Sequence, residues 1–215
     1  MQSGLFSRRL NPKTLAEAAL PVFASGLGLI IFDLAIFVWV ASELFGAILI
    51  PRLRGSERST RVRRDRGSKI LILFTVWVST TVALAFGYAG IGALPDWVFY
   101  PGIVLMLLGV LVRQWAIAVL GRFFSTSVRI VEDHRVVEKG PYRLVRHPSY
   151  TGLLILFVGL ALAVQSAGAL LVLLGFFTVS FGYRIRVEEK ALLSELGDSY
   201  ASYMKRTKRL IPFLV

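Results

Sequence analysis

The chain of 215 residues contains no cysteine. That excludes a disulfide framework, a thiolate metal site and a cysteine nucleophile, and it leaves the redox compartment unread. Acidic residues are scarce, 13 against 25 Lys and Arg, giving a formal net charge of +12. Basic residues are themselves missing from one link, Gly87 to Trp97, which has neither Lys nor Arg. A glycine turn that cradles a nucleotide is also absent in its required setting. The only similar string, Gly87–Tyr88–Ala89–Gly90–Ile91–Gly92, has no strand–turn–helix unit around it, so it reads as small residues at a turn.

What the chain has in excess is apolar sequence. It is 55% hydrophobic with a mean hydropathy of +0.67, against about 45–50% apolar for a soluble domain. The excess falls in long runs, which makes a bilayer the solvent, and the length suits one domain. The charge is placed accordingly. Arg52, Arg54, Arg58, Arg61, Arg63, Arg64, Arg66 and Lys69 crowd one segment between runs, and Arg122, Arg129, Arg135, Lys139, Arg143 and Arg146 a second. Arg184, Arg186, Lys190, Lys205, Arg206, Lys208 and Arg209 follow the last run. This is the asymmetry of cytoplasmic loops in membrane proteins and argues against nucleic acid as the partner, which needs basic residues on a folded, water-facing surface. The basic loops are expected to touch anionic lipid headgroups.

The runs predict an all-α integral membrane protein of about five spans. The first, Ala18–Ile50, is too long for a signal peptide's apolar core, so no cleavable signal is expected despite Arg8, Arg9 and Lys13. It is also too long for a straight span, so it is tilted, kinked near Gly26–Gly28 or partly interfacial. Asp33 and Glu43 within it are expected to face other helices. Ile70–Phe86 is the second span, Gly87–Asp96 an external turn, and Trp97–Leu120 the third span, with Trp97 and Tyr100 at the outer interface. Residues 121–149 are polar. Tyr150–Tyr183 is apolar over about 50 Å of helix, and a break at Gln165–Ser166–Ala167–Gly168 makes it a hairpin of spans four and five. The hairpin places the N-terminus outside, with three basic residues there. A cytoplasmic helix is expected from Arg184 to Leu196, broken at Gly197, with Asp198 capping a second short helix and Pro212 ending regular structure. Two regions follow: residues 1–120, holding spans one to three and the Arg-rich loop 51–69, and residues 121–215, holding the hairpin and a cytoplasmic C-terminal cofactor-binding region.

Two polar clusters flank the hairpin. The first runs from Glu132 to Gly152 and holds both histidines, His134 and His147. Gly140–Pro141 forces a turn, and Pro148 pushes His147 out of helical geometry just where a helix starts, leaving nearby backbone N–H groups for a ligand. A purely structural reading, interfacial anchoring, competes with this. The second cluster is Arg184–Ile185–Arg186–Val187–Glu188–Glu189. Arg184 and Glu188 share a helical face as either a weak ion pair or two ligand-binding groups, Glu188 for an ammonium and Arg184 for a carboxylate or phosphate. Arg113, with Gln114, either snorkels to the headgroups or faces the bundle and lines an acceptor site.

These residues carry a resemblance. Gly140–Pro141–Tyr142, Arg146–His147–Pro148–Ser149–Tyr150 with Gly152, Glu188–Glu189 with Leu192, then Gly197, Tyr200, Tyr203 and Leu210–Ile211–Pro212 resemble the isoprenylcysteine carboxyl methyltransferase and phospholipid methyltransferase superfamily. The resemblance covers roughly residues 121–213, and the first two spans carry no motif. It implies a membrane methyltransferase using S-adenosylmethionine in a cytoplasmic pocket. It carries cofactor contacts onto His134, Arg135, Val136, Val137, Tyr142, His147, Pro148, Ser149, Tyr150 and Glu188, with a further contact near Ser127, and an acceptor-binding arginine onto Arg184.

The implied reaction is direct in-line methyl transfer, in which the protein supplies proximity, alignment and water exclusion. A carboxylate acceptor needs no general base; an amine would, and His147 is then the first candidate. Arg184 and His147 are therefore the catalytic candidates, and Arg184 and Arg113 the acceptor-binding ones. The expected partners are a lipophilic acceptor entering sideways from the bilayer and membrane lipids, with no metal and no nucleic acid. Alternatives are a lipid N-methyltransferase, a methyltransferase for a small thiol or isoprenoid, and, more remotely, a sterol-type reductase using a nicotinamide cofactor.

Overall fold

The computed structural model describes residues 20–46, 67–124 and 136–212. Among them the chain is helical, with no strand beyond two isolated bridges. The α-helices among the described residues are α1 (Gly26–Leu44), α2 (Ser68–Tyr88), α3 (Phe99–Leu120), α4 (Pro148–Ala163) and α5 (Ala167–Arg206). Four of them, α1, α2, α3 and α5, are long and apolar enough to cross a membrane; α4 is a shorter apolar helix. The chain is an integral, multi-pass membrane protein. Most of the Arg-rich loop 51–69 lies outside the described residues.

The first apolar run does not continue as one helix. Ser25 is extended and Gly26 has φ +49°, so α1 starts there, within the stretch where a kink was expected. Phe32, Ala35 and Trp39 form its buried row at helical spacing. Asp33 departs from the expectation that both acids of this run turn inward. It is exposed, beside Leu34 and Phe37, because one residue past Phe32 lies about 100° around the helix from the inward row. Glu43 does turn toward another helix, as described below.

α3 and α4 form the most intimate pair in the bundle. A β-carbon on Gly109 would stand 2.5 Å from the Gly152 carbonyl oxygen, and one on Gly159 would stand 2.4 Å from the Met106 nitrogen. Gly102 and Gly152 are equally closed, so four glycines, spaced seven apart on each helix, let the backbones touch. Within a bilayer no hydrophobic gain separates helix from lipid, so this close van der Waals contact is what holds the pair. α4 is buried nearly all round, from Pro148 to Ala163, and α1 packs against α3. α2 lies along α5, where the Thr75 and Ser180 hydroxyls meet at 2.6 Å.

The hairpin between α4 and α5 turns at Val164–Ser166, within a residue of the expected break. Gln165 sits there with φ +54°, a conformation costing about 1 kcal/mol for a residue with a side chain. It is held by its own amide: Oε1 accepts from the Val22 N–H at 2.8 Å, and Nε2 donates to Asp96 at 2.7 Å. The Ser166 hydroxyl caps α5 by accepting from the Ala169 N–H. The end of the bundle opposite the polar clusters is thus tied together by one turn.

The separate helix expected from Arg184 is not found. α5 runs unbroken past Arg184 as far as Gly197, whose non-helical conformation (φ 52°, ψ −130°) breaks it, as expected, from a second short helical stretch that ends at Arg206. Up to that kink, at about 1.5 Å per residue, it extends about 45 Å, half as long again as the hydrocarbon core. Its polar half therefore stands clear of the bilayer.

Candidate active site

The two polar clusters, forty residues apart in sequence, meet at the N-terminus of α4. The cause is local. Pro148 opens the helix, and His147 before it takes a non-helical conformation (φ −123°, ψ 56°) while its carbonyl accepts from the Tyr150 and Thr151 N–H groups. No side chain caps this helix start. The turn Gly140–Arg143, with Gly140 at φ +54°, brings Tyr142 into the same region, and its carbonyl accepts from the Tyr203 hydroxyl at 2.7 Å.

Tyr150 joins the clusters. Its hydroxyl donates to Glu188 Oε2 at 2.9 Å and accepts from Arg184 Nε at 3.2 Å. Arg184 and Glu188, on one face of α5, stand 3.8 Å apart, so the phenol mediates between them more closely than they meet each other. Arg184 is buried, while Glu188 is partly open. Glu188 Oε1 has no hydrogen-bond partner among the described residues. The Tyr150 ring stacks on His147, with centroids 5.6 Å apart, and its other edge meets Phe181.

Glu189 behaves quite differently from its neighbour. One position further along α5 it points about 100° away and is buried. Its carboxylate accepts from Arg146 Nε at 2.9 Å and Arg209 Nε at 3.1 Å, and lies 3.3 Å from His147 Nε2. Burial would raise this carboxyl, but the hydrogen bonds from His147, Arg209 and Arg146 outweigh it and bring it down to about 2. The cluster fixes the tail as well: the Arg146 and His147 N–H groups donate to the Lys208 and Arg209 carbonyls, and Thr151 Oγ1 donates to the Leu210 carbonyl. Burial, with Glu188 nearby, pushes the Tyr142 phenol well above its ordinary range, so it stays protonated.

Arg113 faces the bundle and does not snorkel. It binds both carboxylate oxygens of Glu43 on α1, through Nε to Oε1 and through Nη2 to Oε2 at 2.7 Å. Nη1 donates to the Ser149 carbonyl at 3.3 Å, in the first turn of α4.

The structure thus gathers Tyr142, His147, Pro148, Ser149, Tyr150, Arg184, Glu188 and Arg113 around one helix start. Val136 and Val137 lie half-buried in the irregular chain leading to the Gly140 turn. His134, Arg135 and Ser127 fall outside the described residues. Sequence reasoning gave Glu189, Arg209 and the Glu43 partnership no role of their own. A helical wheel separates Glu189 from Glu188, but nothing in the sequence tells which basic residues converge on it. No group of three or more His, Asp or Glu able to hold a metal occurs among the described residues.

The sequence model of the isoprenylcysteine carboxyl methyltransferase family matches residues 102–194. Protein-S-isoprenylcysteine O-methyltransferase B of Arabidopsis thaliana is 31% identical over 164 residues, covering 69% of this chain and 82% of that protein. The Saccharomyces cerevisiae protein-S-isoprenylcysteine O-methyltransferase is 33% identical over 115 residues, 53% of this chain and about half (48%) of the yeast protein. Among solved structures, a eukaryotic intramembrane Ras methyltransferase, an isoprenylcysteine carboxyl methyltransferase, superposes with a TM-score of 0.60. That match covers 93% of this chain and 70% of the other at 24% identity, a likeness of fold. Fold, sequence model and relatives agree, and the chain belongs to the isoprenylcysteine carboxyl methyltransferase family.

Proposed function

We propose that this chain is an S-adenosylmethionine-dependent methyltransferase that esterifies the carboxylate of a lipophilic acceptor taken from the bilayer, as its relatives' names imply for them. The observation that carries this reading is the Arg184–Tyr150–Glu188 arrangement, which holds a cation and a carboxylate to either side of one phenol. The residues fit the cofactor. Glu188 offers a carboxylate oxygen without a partner among the described residues, and α4 begins without a side-chain cap, which suits an ammonium and a carboxylate respectively. Tyr142, His147, Pro148, Ser149 and Tyr150 would line the cofactor site, with Val136 and Val137 on the approach. Bound there, S-adenosylmethionine supplies a methyl group already activated on a sulfonium.

What this chain's residues contribute is binding, orientation and dryness. Arg184 receives the acceptor's carboxylate through its guanidinium, and Arg113 stands ready at the first turn of α4. The attacking oxygen carries its own lone pair, so no side chain has to remove a proton. A lipid N-methyltransferase would need such a base, and His147, whose Nε2 lies against Glu189, is the candidate among the described residues. We place the site on the cytoplasmic side, by the distribution of Arg and Lys. The catalytic core in this reading is residues 121–215, carried on the spans of residues 1–120.

Binding of labelled S-adenosylmethionine to the purified chain tests the assignment. Glu188→Ala should weaken it by about ten- to a hundredfold, the worth of a charge-assisted hydrogen bond. Undiminished binding moves the site elsewhere. Methyl transfer into a farnesylated cysteine analogue, set against a membrane lipid extract, then identifies the acceptor class.

A further inference from the structure

α1 lies outside the segment matched by the family's sequence model, and no motif marks it. It nevertheless reaches the site region through a single side chain. Glu43 takes one whole edge of the Arg113 guanidinium, Nε and Nη2, with both of its oxygens. A guanidinium is planar, so fixing one edge fixes the direction of the rest. The remaining nitrogen, Nη1, is aimed at the Ser149 carbonyl, one residue before Tyr150. The Arg113 side chain is 14% exposed, so it has little room to turn away. The seam sets its backbone as well: the position a β-carbon on Gly152 would take is 2.9 Å from Arg113 Cβ, which leaves no space for the α3 backbone to shift. One residue on, Gln114 Nε2 donates to the Ser42 carbonyl at 3.1 Å, so the same helices are joined again by a contact that carries no charge.

We propose that Glu43 is a positioning residue for the acceptor: it holds Arg113 so that Nη1 points to the Ser149 carbonyl, one residue before the Tyr150 that meets Arg184, the guanidinium that receives the acceptor's carboxylate. This rests on the carboxylate-acceptor reading above. The helix that carries no motif thereby has a defined task in substrate selection. A pair that served only to neutralise a guanidinium inside the membrane would affect stability and leave acceptor recognition alone.

The variants Glu43→Gln and Glu43→Asp separate the two. Glutamine keeps the size but presents a donor to a donor, so one edge of Arg113 is released; aspartate keeps the charge. With a prenylcysteine acceptor, Glu43→Gln should raise the acceptor KM about tenfold and leave the affinity for S-adenosylmethionine unchanged. Glu43→Asp should recover most of that loss. In a background of Arg113→Gln the Glu43→Gln change should add nothing to KM. Gln114→Ala is the control: it removes the uncharged tie and should lower the thermal midpoint in detergent with KM unaltered. An acceptor KM unchanged in Glu43→Gln, with only the thermal midpoint lowered, overturns the inference, as does an equal loss of cofactor affinity. If Glu43→Gln does not fold, Arg113→Gln decides: an acceptor KM raised by less than about twofold rejects the inference. Wild-type protein that binds the cofactor but methylates no carboxylate rejects the acceptor class itself, a result distinguishable from wild-type turnover with a silent Glu43.

Discussion

Adjacent carboxylates at 188 and 189 have opposite tasks because a helix turns about 100° per residue. Glu188 looks toward Tyr150 and the open side; Glu189 is driven into a cluster of three cationic or imidazole partners. The Tyr150 hydroxyl links the Arg184 and Glu188 side chains, lying closer to each than their own 3.8 Å approach. Tyr150→Phe keeps the ring stacked on His147 and removes that link. We expect it to weaken both cofactor affinity and acceptor KM by about three- to tenfold, read by cofactor titration and steady-state kinetics, with little change in thermal midpoint. Glu189 has a different signature. Its carboxyl is held at about 2 in the folded chain, below the ordinary value of 4.5, so its contribution to stability is complete above about pH 4.5. That contribution is lost as the pH falls toward 2 and the folded chain takes up the proton. The thermal midpoint in detergent should drop across this window, and Glu189→Gln should flatten the drop while lowering the midpoint at neutral pH.

At the level of elements, the seam between α3 and α4 sets how accurately the site is built. Arg113 on α3 and Ser149 on α4 meet at one end of that seam, so the backbone separation of the two helices fixes their distance. Gly159→Val would put a β-carbon 2.4 Å from the Met106 nitrogen, against backbone that cannot yield. Overpacking of this kind costs about 1–3 kcal/mol, occasionally more. We expect less folded protein on extraction, visible as loss of a monodisperse peak in size-exclusion chromatography. The seven-residue spacing of Gly102 and Gly109, and of Gly152 and Gly159, was open to inspection in the sequence. That the two pairs face each other was not, because spacing marks a face without naming what it meets. α5 shows the converse. Its apolar length and its break at Gly197 were legible, but the change from apolar to polar at Arg184 suggested a helix start, and the helix runs through it: helix geometry continues as long as no Gly or Pro interrupts it, and the solvent on either side does not end it.

Across the whole molecule, a bundle tied at both ends carries the site at one of them. Gln165 and Ser166 tie the far end to Val22, Asp96 and Ile91, and the Glu189 cluster with the tail ties the near end. The Glu188→Ala, Tyr150→Phe, Glu189→Gln, Gly159→Val and Glu43→Gln changes probe separate parts of this arrangement. Hydropathy alone marked the apolar helices, the hairpin and the polar character of the segments around it, because a bilayer imposes length and apolarity on whatever crosses it; of the five expected spans, α4 is the one shorter than a span among the described residues. The Arg-His-Pro-x-Tyr and Glu-Glu motifs pointed to the family and to residues that the fold gathers at the start of α4. Folding settled the partnerships: Glu189 with Arg146 and Arg209, Glu43 with Arg113, Asp33 turned outward. Such pairings join residues up to 70 positions apart. A linear chain records which groups are charged, while which charge neutralises which depends on helix rotation and approach, and those are fixed by packing.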